Sequence, residues 1–123
     1  MTAIDIYSEL NTVFEEIDIP HGMGLFIGSG EEPVFIVYLV YGDDPTAKAD
    51  NKIAQITYRL KVDIIARMGT SFTEAERKVK IFLGKAGYIY KNGEGFADMK
   101  EPYDYHRVLY FDRNLYFEEL DFE

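Results

Sequence analysis

Residues 53–66, with the sequence IAQITYRLKVDIIA, carry the clearest periodic pattern in the chain. Apolar and polar side chains alternate through this stretch, and the apolar set is Ala54, Ile56, Tyr58, Leu60, Val62 and Ile64. Because successive side chains of a strand point to opposite faces, the alternation predicts a strand with one buried face. At about 3.3 Å per residue, such a strand is long enough to extend beyond the body of a small domain.

The preceding apolar run, residues 34–41 (VFIVYLVY), predicts a second strand, buried on both faces. Between the two strands, residues 42–51 are mostly polar and show no apolar periodicity. This connection is longer than the two to five residues of a tight hairpin. The sequence therefore predicts a long loop at the tip of an extended, projecting hairpin.

Two segments, residues 3–17 and 71–86, have the apolar spacing of amphipathic helices. Capping candidates precede both helices and a glycine follows the second: Thr2, Ser71, Thr73 and Gly87. Acidic residues end the first helix without a basic partner, which is unfavourable at the negative pole of the helix dipole.

The remaining segments predict shorter strands. Residues 25–27 form a brief apolar run, residues 88–90 and 105–111 are typical of strands, and residues 91–95 are typical of a turn. The predicted order is α-β-β-β-α-β-β. It indicates an α+β fold in which an antiparallel sheet of unequal strands, with a long projecting hairpin, carries two helices on one face.

Length and charge narrow the possible functions. The 123 residues indicate one domain, residues 1–123, in which residues 111–123 form an acidic, aromatic C-terminal extension. The net charge of −9 opposes tight binding to nucleic acid or to an anionic membrane. The absence of cysteine excludes disulfides, thiolate nucleophiles and cysteine-bound zinc. The first residues lack the pattern of a signal peptide, so we expect a cytosolic protein.

No motif in the sequence predicts catalysis, a metal or a cofactor. The two histidines, His21 and His106, have no partner at a spacing typical of a metal site or a general base, so we expect a turn residue and a packed strand residue respectively. One loop contains four oxygen-bearing side chains, Asp43, Asp44, Asp50 and Asn51. Their spacing is not that of an EF-hand, and turn formation in a solvated loop explains them more simply.

Several segments together resemble one family. They are VFIVY at 34–38, ADNK at 49–52, ITYRLKVDI at 56–64, AGY at 86–88 and HRVLYF at 106–111. In this order and spacing, the chain resembles the small tail-terminator and tail-completion proteins of long-tailed bacteriophages and prophages. The resemblance covers nearly the whole chain apart from the C-terminal extension.

The resemblance implies a structural protein and not an enzyme. Members of that family form a ring, usually of six copies, that caps the tail tube, ends its polymerisation and joins tail to head. It implies as partners a second copy, the tail-tube protein and a head-completion or connector protein, with no cofactor, no membrane and no tight nucleic-acid binding. The expected location is the host cytoplasm during assembly and then the virion tail or neck.

The hairpin loop of the resembling proteins reaches a neighbouring subunit or ring. The corresponding interface residues are Tyr41, Asp43, Asp44, Lys48, Asp50, Asn51 and Lys52. Four acids are candidates for a lumen wall that repels DNA or, equally, for a solvated outer face: Glu94, Asp98, Glu101 and Asp104. Two alternatives stay open, a head-completion or connector protein of the phage neck and a small acidic module that binds a basic protein.

Overall fold

The computed structural model describes residues 5–25, 32–49, 52–67, 72–96 and 103–116. The elements in chain order are α1 (Ile6–Ile17), β1 (His21–Met23), β2 (Val34–Ala49), β3 (Lys52–Arg67), α2 (Thr73–Lys85), β4 (Tyr88–Phe96) and β5 (Tyr103–Tyr116). Five strands form one mixed sheet, and two helices pack on one of its faces. The predicted α+β class and the order α-β-β-β-α-β-β are confirmed.

The strands lie side by side in the order β1-β2-β3-β5-β4. The short strand β1 runs parallel to β2, and every other neighbouring pair is antiparallel. The predicted strand over residues 53–66 is confirmed as the central strand β3, with Ile64 opposite Ile36 on β2 and Val62 opposite Leu109 on β5.

The main core lies between the helices and one face of the sheet. It contains the α1 stripe and the predicted inward side of β3: Ile6, Leu10, Val13, Phe14, Ile17, Leu60, Val62 and Ile64. The helices cover only this face, which we call the helix face; the opposite side is the open face. The prediction that residues 34–41 are buried on both faces is therefore wrong, since Leu39 and Tyr41 are exposed.

The hairpin of β2 and β3 is longer and more regular than predicted. Residues 42–49 are strand and not loop, because they pair with β3 from Gly42 opposite Arg59 to Ala49 opposite Lys52. The pairing register of β2 against β3 shifts after Val40 and after Pro45. Such irregularities allow a strand to contain a glycine and a proline. Only Asp50 and Asn51, which lie outside the described residues, connect the strands. We call residues 42–59 the arm.

The helix ends differ from the capping predictions. Helix α1 begins at Ile6, and the side chain of Asp5 caps it by accepting hydrogen bonds from the amides of Tyr7 and Ser8, 3.0 and 3.3 Å away. Helix α2 begins at Thr73 after Phe72, which makes no side-chain capping bond. The other two capping candidates, Thr2 and Ser71, lie outside the described residues. Gly87 does follow α2 in the left-handed region, with a φ of 99°.

Two strand boundaries correct the sequence prediction at the edges of the sheet. The first short strand occupies residues 21–23, so His21 lies in a strand and not in a turn, while Leu25 of the predicted run is exposed. Strand β4 continues through residues 91–96, where a turn was predicted. The guanidinium group of Arg107 lies directly over Gly93 of β4. A Cβ atom at that position would come within 2.8 Å of an Arg107 guanidinium nitrogen. That glycine therefore marks a close approach within a strand.

The predicted C-terminal extension is also partly wrong. Residues 111–116 belong to β5, which pairs with the arm as far as Tyr116 opposite Gln55. Leu115 is fully buried, so the core pattern continues into this segment. Residues 117–123 of the extension lie outside the described residues.

Candidate assembly surfaces

The arm extends past the end of the main core. From Leu60 towards the tip of the hairpin, the described core residues form a separate small cluster. Ile56 and Leu115 are buried in it, and Tyr58 packs against them. Because β5 pairs with β3 as far as Gln55, the arm is three-stranded over most of its length, whereas an isolated pair of strands was expected. Among the arm side chains that the structure describes, those of residues 42–45 and 55–59, few are apolar and buried.

The predicted interface residues occupy several positions on the arm. Tyr41 is half-exposed at the register shift, with its ring edge-on to Tyr110, 6.1 Å between centroids. Asp43 is exposed, and Asp44 forms an ion pair with Arg59 on the neighbouring strand. Four predicted positions lie outside the described residues or have side chains that do: Lys48, Asp50, Asn51 and Lys52.

The open face of the sheet carries paired polar groups. His106 Nε2 lies 2.7 Å from Asp63 Oδ1, and Lys61 Nζ lies 3.6 Å from the other carboxylate oxygen. Towards the arm, the Thr57 hydroxyl donates to Asn114 Oδ1 at 2.6 Å. These residues belong to the adjacent strands β3 and β5, whose antiparallel pairing brings their side chains close together. Lys61 and Asp63 carry opposite charges, so this pair is compensated within the chain.

His106 was expected to be a packed strand residue, and the structure adds a specific partner. Its bond to Asp63 joins residues 43 positions apart in sequence. No local spacing signals this pair; only the register of β3 against β5 brings the two side chains together. His21 lies beside the stacked rings of Phe14 and Tyr38, with centroid distances of 5.9 and 6.3 Å. Within the described ranges, no group of three acidic or histidine side chains is arranged to hold a metal ion.

The four acids predicted for a lumen wall do not form a described cluster. Glu94 is exposed on β4, opposite Val108 of the open face. Asp104 belongs to β5, but its side chain lies outside the described part, as do residues Asp98 and Glu101 entirely.

Two ion pairs tie the helices to the sheet. Glu9 of α1 accepts from Arg113 of β5 at 3.0 Å, directly beside the buried ring of Tyr88. No described residue provides a hydrogen-bond partner for the Tyr88 hydroxyl, and burial, followed by the nearby Glu9 carboxylate, raises the pKa of Tyr88.

The second ion pair joins α2 to β5. Glu76 accepts from Arg107 at 2.8 Å and from Lys80 at 2.9 Å. Partial burial acts to raise the pKa of Glu76, but these two hydrogen bonds outweigh it and hold the pKa below its usual value. The two ion pairs thus attach both helices to β5.

No known protein family matches this chain, and no curated protein is significantly similar to it. The two helices of the described residues are both too short and too polar to cross a membrane.

Proposed function

We propose that this chain is a ring-forming assembly protein of the phage tail-terminator type, which caps a tail tube and joins it to the head. The segments that carry the resemblance support this, since they lie in consecutive elements. The segment 34–38 begins β2, 56–64 lies in β3, 86–88 joins α2 to β4, and 106–111 lies in β5.

The arm is the observation that carries the proposal. It continues past the main core, and its described side chains form a small cluster in which Ile56 and Leu115 are buried with Tyr58 beside them. Next to the arm, the side chains of Tyr41 on β2 and Tyr116 on β5 are about half-exposed. A surface on a neighbouring copy or on the tube would bury these side chains further.

Shortening the arm tests this function. Replacing residues 46–55 by Asn-Gly places a two-residue turn between Pro45 and Ile56, which are opposite each other in register. The variant keeps Ile56 against Leu115, so we expect a folded monomer that no longer forms oligomers. Light scattering after gel filtration measures the mass, and circular dichroism measures the fold.

A matched control substitutes Asn-Gly for Asp50-Asn51 only, which keeps the arm at full length. That control is expected to assemble as the natural chain does. If the shortened variant assembles as well as the natural chain, the arm has no role in the ring and the proposal is wrong.

A further inference from the structure

We propose that copies of this chain associate head to tail, with the outer edge of β4 in one copy pairing antiparallel with the outer edge of β1 in the next. This inference rests on the ring function proposed above and names a second contact between neighbouring copies, which the ring needs together with the arm. It concerns the two ends of the sheet and leaves the arm for a separate contact.

The sheet topology allows the pairing. Strands β1 and β4 are the two outermost strands, and no strand of the described residues pairs with the outer side of either. Strand β1 runs parallel to β2, whereas three successive antiparallel steps make β4 run opposite to β2. A second copy rotated about an axis along the strands therefore brings β4 antiparallel to β1. Such a head-to-tail contact continues the sheet from copy to copy, and it forms a closed ring when the rotation between copies divides a full turn evenly.

The β1 edge also has a groove that suits a side chain of β4. Helix α1 and strand β1 border an open groove of about 670 Å³, in which Tyr7, Met23 and Tyr38 lie among polar side chains of α1 that include Ser8 and Asn11. On β4, Tyr90 is on the helix face, packed at 5.5 Å on Phe111 yet more than one-third exposed. In the proposed pairing the helix faces of both copies point the same way. The exposed part of Tyr90 then enters the groove of the neighbour.

The two edges carry opposite charge. Residues 5–25, which include α1 and β1, contain five acids and neither lysine nor arginine. Residues 73–96, which include α2 and β4, contain five bases and three acids, a net charge of +2 in a chain whose total is −9. Contacts between unlike edges are thus attractive and those between two acidic edges repulsive. This asymmetry favours head-to-tail over back-to-back association.

Particular side chains define the charge contact. Glu15 and Asp18 lie beside the groove at the C-terminal end of α1, whose last turn has no basic residue. On the other edge, Lys80 of α2 lies 4.5 Å from the centre of the Tyr90 ring. Arg77 is one turn earlier on the same side of α2. We expect Arg77 and Lys80 of one copy to face Glu15 and Asp18 of the next, next to the negative pole of α1.

Cross-linking between single cysteines tests the pairing without background, because the natural chain has no cysteine. One variant, Gly22→Cys, marks β1, and the other, Ile89→Cys, marks β4. Gly22 lies opposite Val37 and Ile89 lies opposite Asp112, so both positions are on the open face. The two full-length variants are mixed in equal amounts and treated with a short bismaleimide linker. Mass spectrometry then counts mixed and like-with-like products. The pairing predicts that mixed products exceed the sum of the two like-with-like products, and equal or lower mixed yields overturn it.

Charge reversal makes the test specific. Arg77→Glu, placed in the Ile89→Cys copy, should lower the mixed yield by about twofold to fivefold, the effect of one exposed ion pair. Glu15→Arg in the Gly22→Cys copy should restore it. Lys85→Glu is the matched control, since it makes the same charge change about 12 Å further along α2. Equal losses from Arg77→Glu and Lys85→Glu, or no rescue by Glu15→Arg, overturn the assigned contact.

The outcomes separate this inference from the proposed function. If the natural chain forms oligomers that the shortened arm abolishes, but the mixed cross-link is not favoured, the ring stands and the edge pairing is wrong. If the mixed cross-link is favoured and the shortened arm still assembles, the edge pairing stands and the role of the arm is wrong.

Discussion

Replacing Phe14 with alanine should lower the free energy of unfolding by about 3–5 kcal/mol, a large part of the stability of a domain of this size. Phe14 is 0% exposed, and its ring stacks on Tyr38 of β2 at 4.3 Å between centroids. It thereby attaches α1 to the sheet. The cavity left by alanine would remove the contact of both Tyr38 and His21 with the helix.

Urea unfolding followed by circular dichroism measures this effect. Tyr7→Ala is the matched control, because it removes an aromatic side chain from the same helix at an exposed position. We expect that control to cost less than about 1 kcal/mol. A Phe14→Ala cost as small as that of the control would mean that α1 does not pack on the sheet as described.

Replacing Arg113 with methionine should cost about 2–3 kcal/mol, between the values for exposed and for fully buried ion pairs. The side chains of Arg113 and Glu9 are only 14% and 23% exposed, and Arg113 lies over the ring of Tyr88. Methionine preserves much of the side-chain volume, so the loss of stability measures mainly the effect of removing the positive charge. Glu9 would remain partly buried without its cation.

The exposed pair Arg77–Glu74 provides the control, since its side chains are 66% and 60% exposed. Arg77→Met should cost at most about 0.5 kcal/mol. A double-mutant cycle measures the coupling directly: in the Glu9→Gln background, Arg113→Met should cost clearly less. An unchanged cost in that background would show that the two side chains do not interact.

The sequence predicts the elements whose local pattern and tertiary environment agree. Strand β3 alternates because only one of its faces meets the helices, and the alternation is visible from Ile56 to Ile64. Helix α1 shows its buried stripe for the same reason. These elements identify the α+β class without knowledge of which strands are neighbours.

The errors occur where pairing between distant segments outweighs local preference. Glycine, proline, asparagine and aspartate locally favour turns, and they occur in residues 42–49 and 91–95. Both segments are nevertheless strands, because they pair along their backbones with β3 and β5 respectively. The Asp63–His106 contact and the two charged edges also depend on strand order. A single sequence does not specify that order, so these surfaces emerge only from the fold.

Electron microscopy of the purified full chain, alone and mixed with isolated phage tail tubes, shows whether the chain forms a ring at a tube end. A tail-terminator role predicts closed rings of constant subunit number, six by the resemblance, located at tube ends and not along the tubes. Particles that remain single copies both alone and with tubes, or that grow only into open filaments, would contradict it.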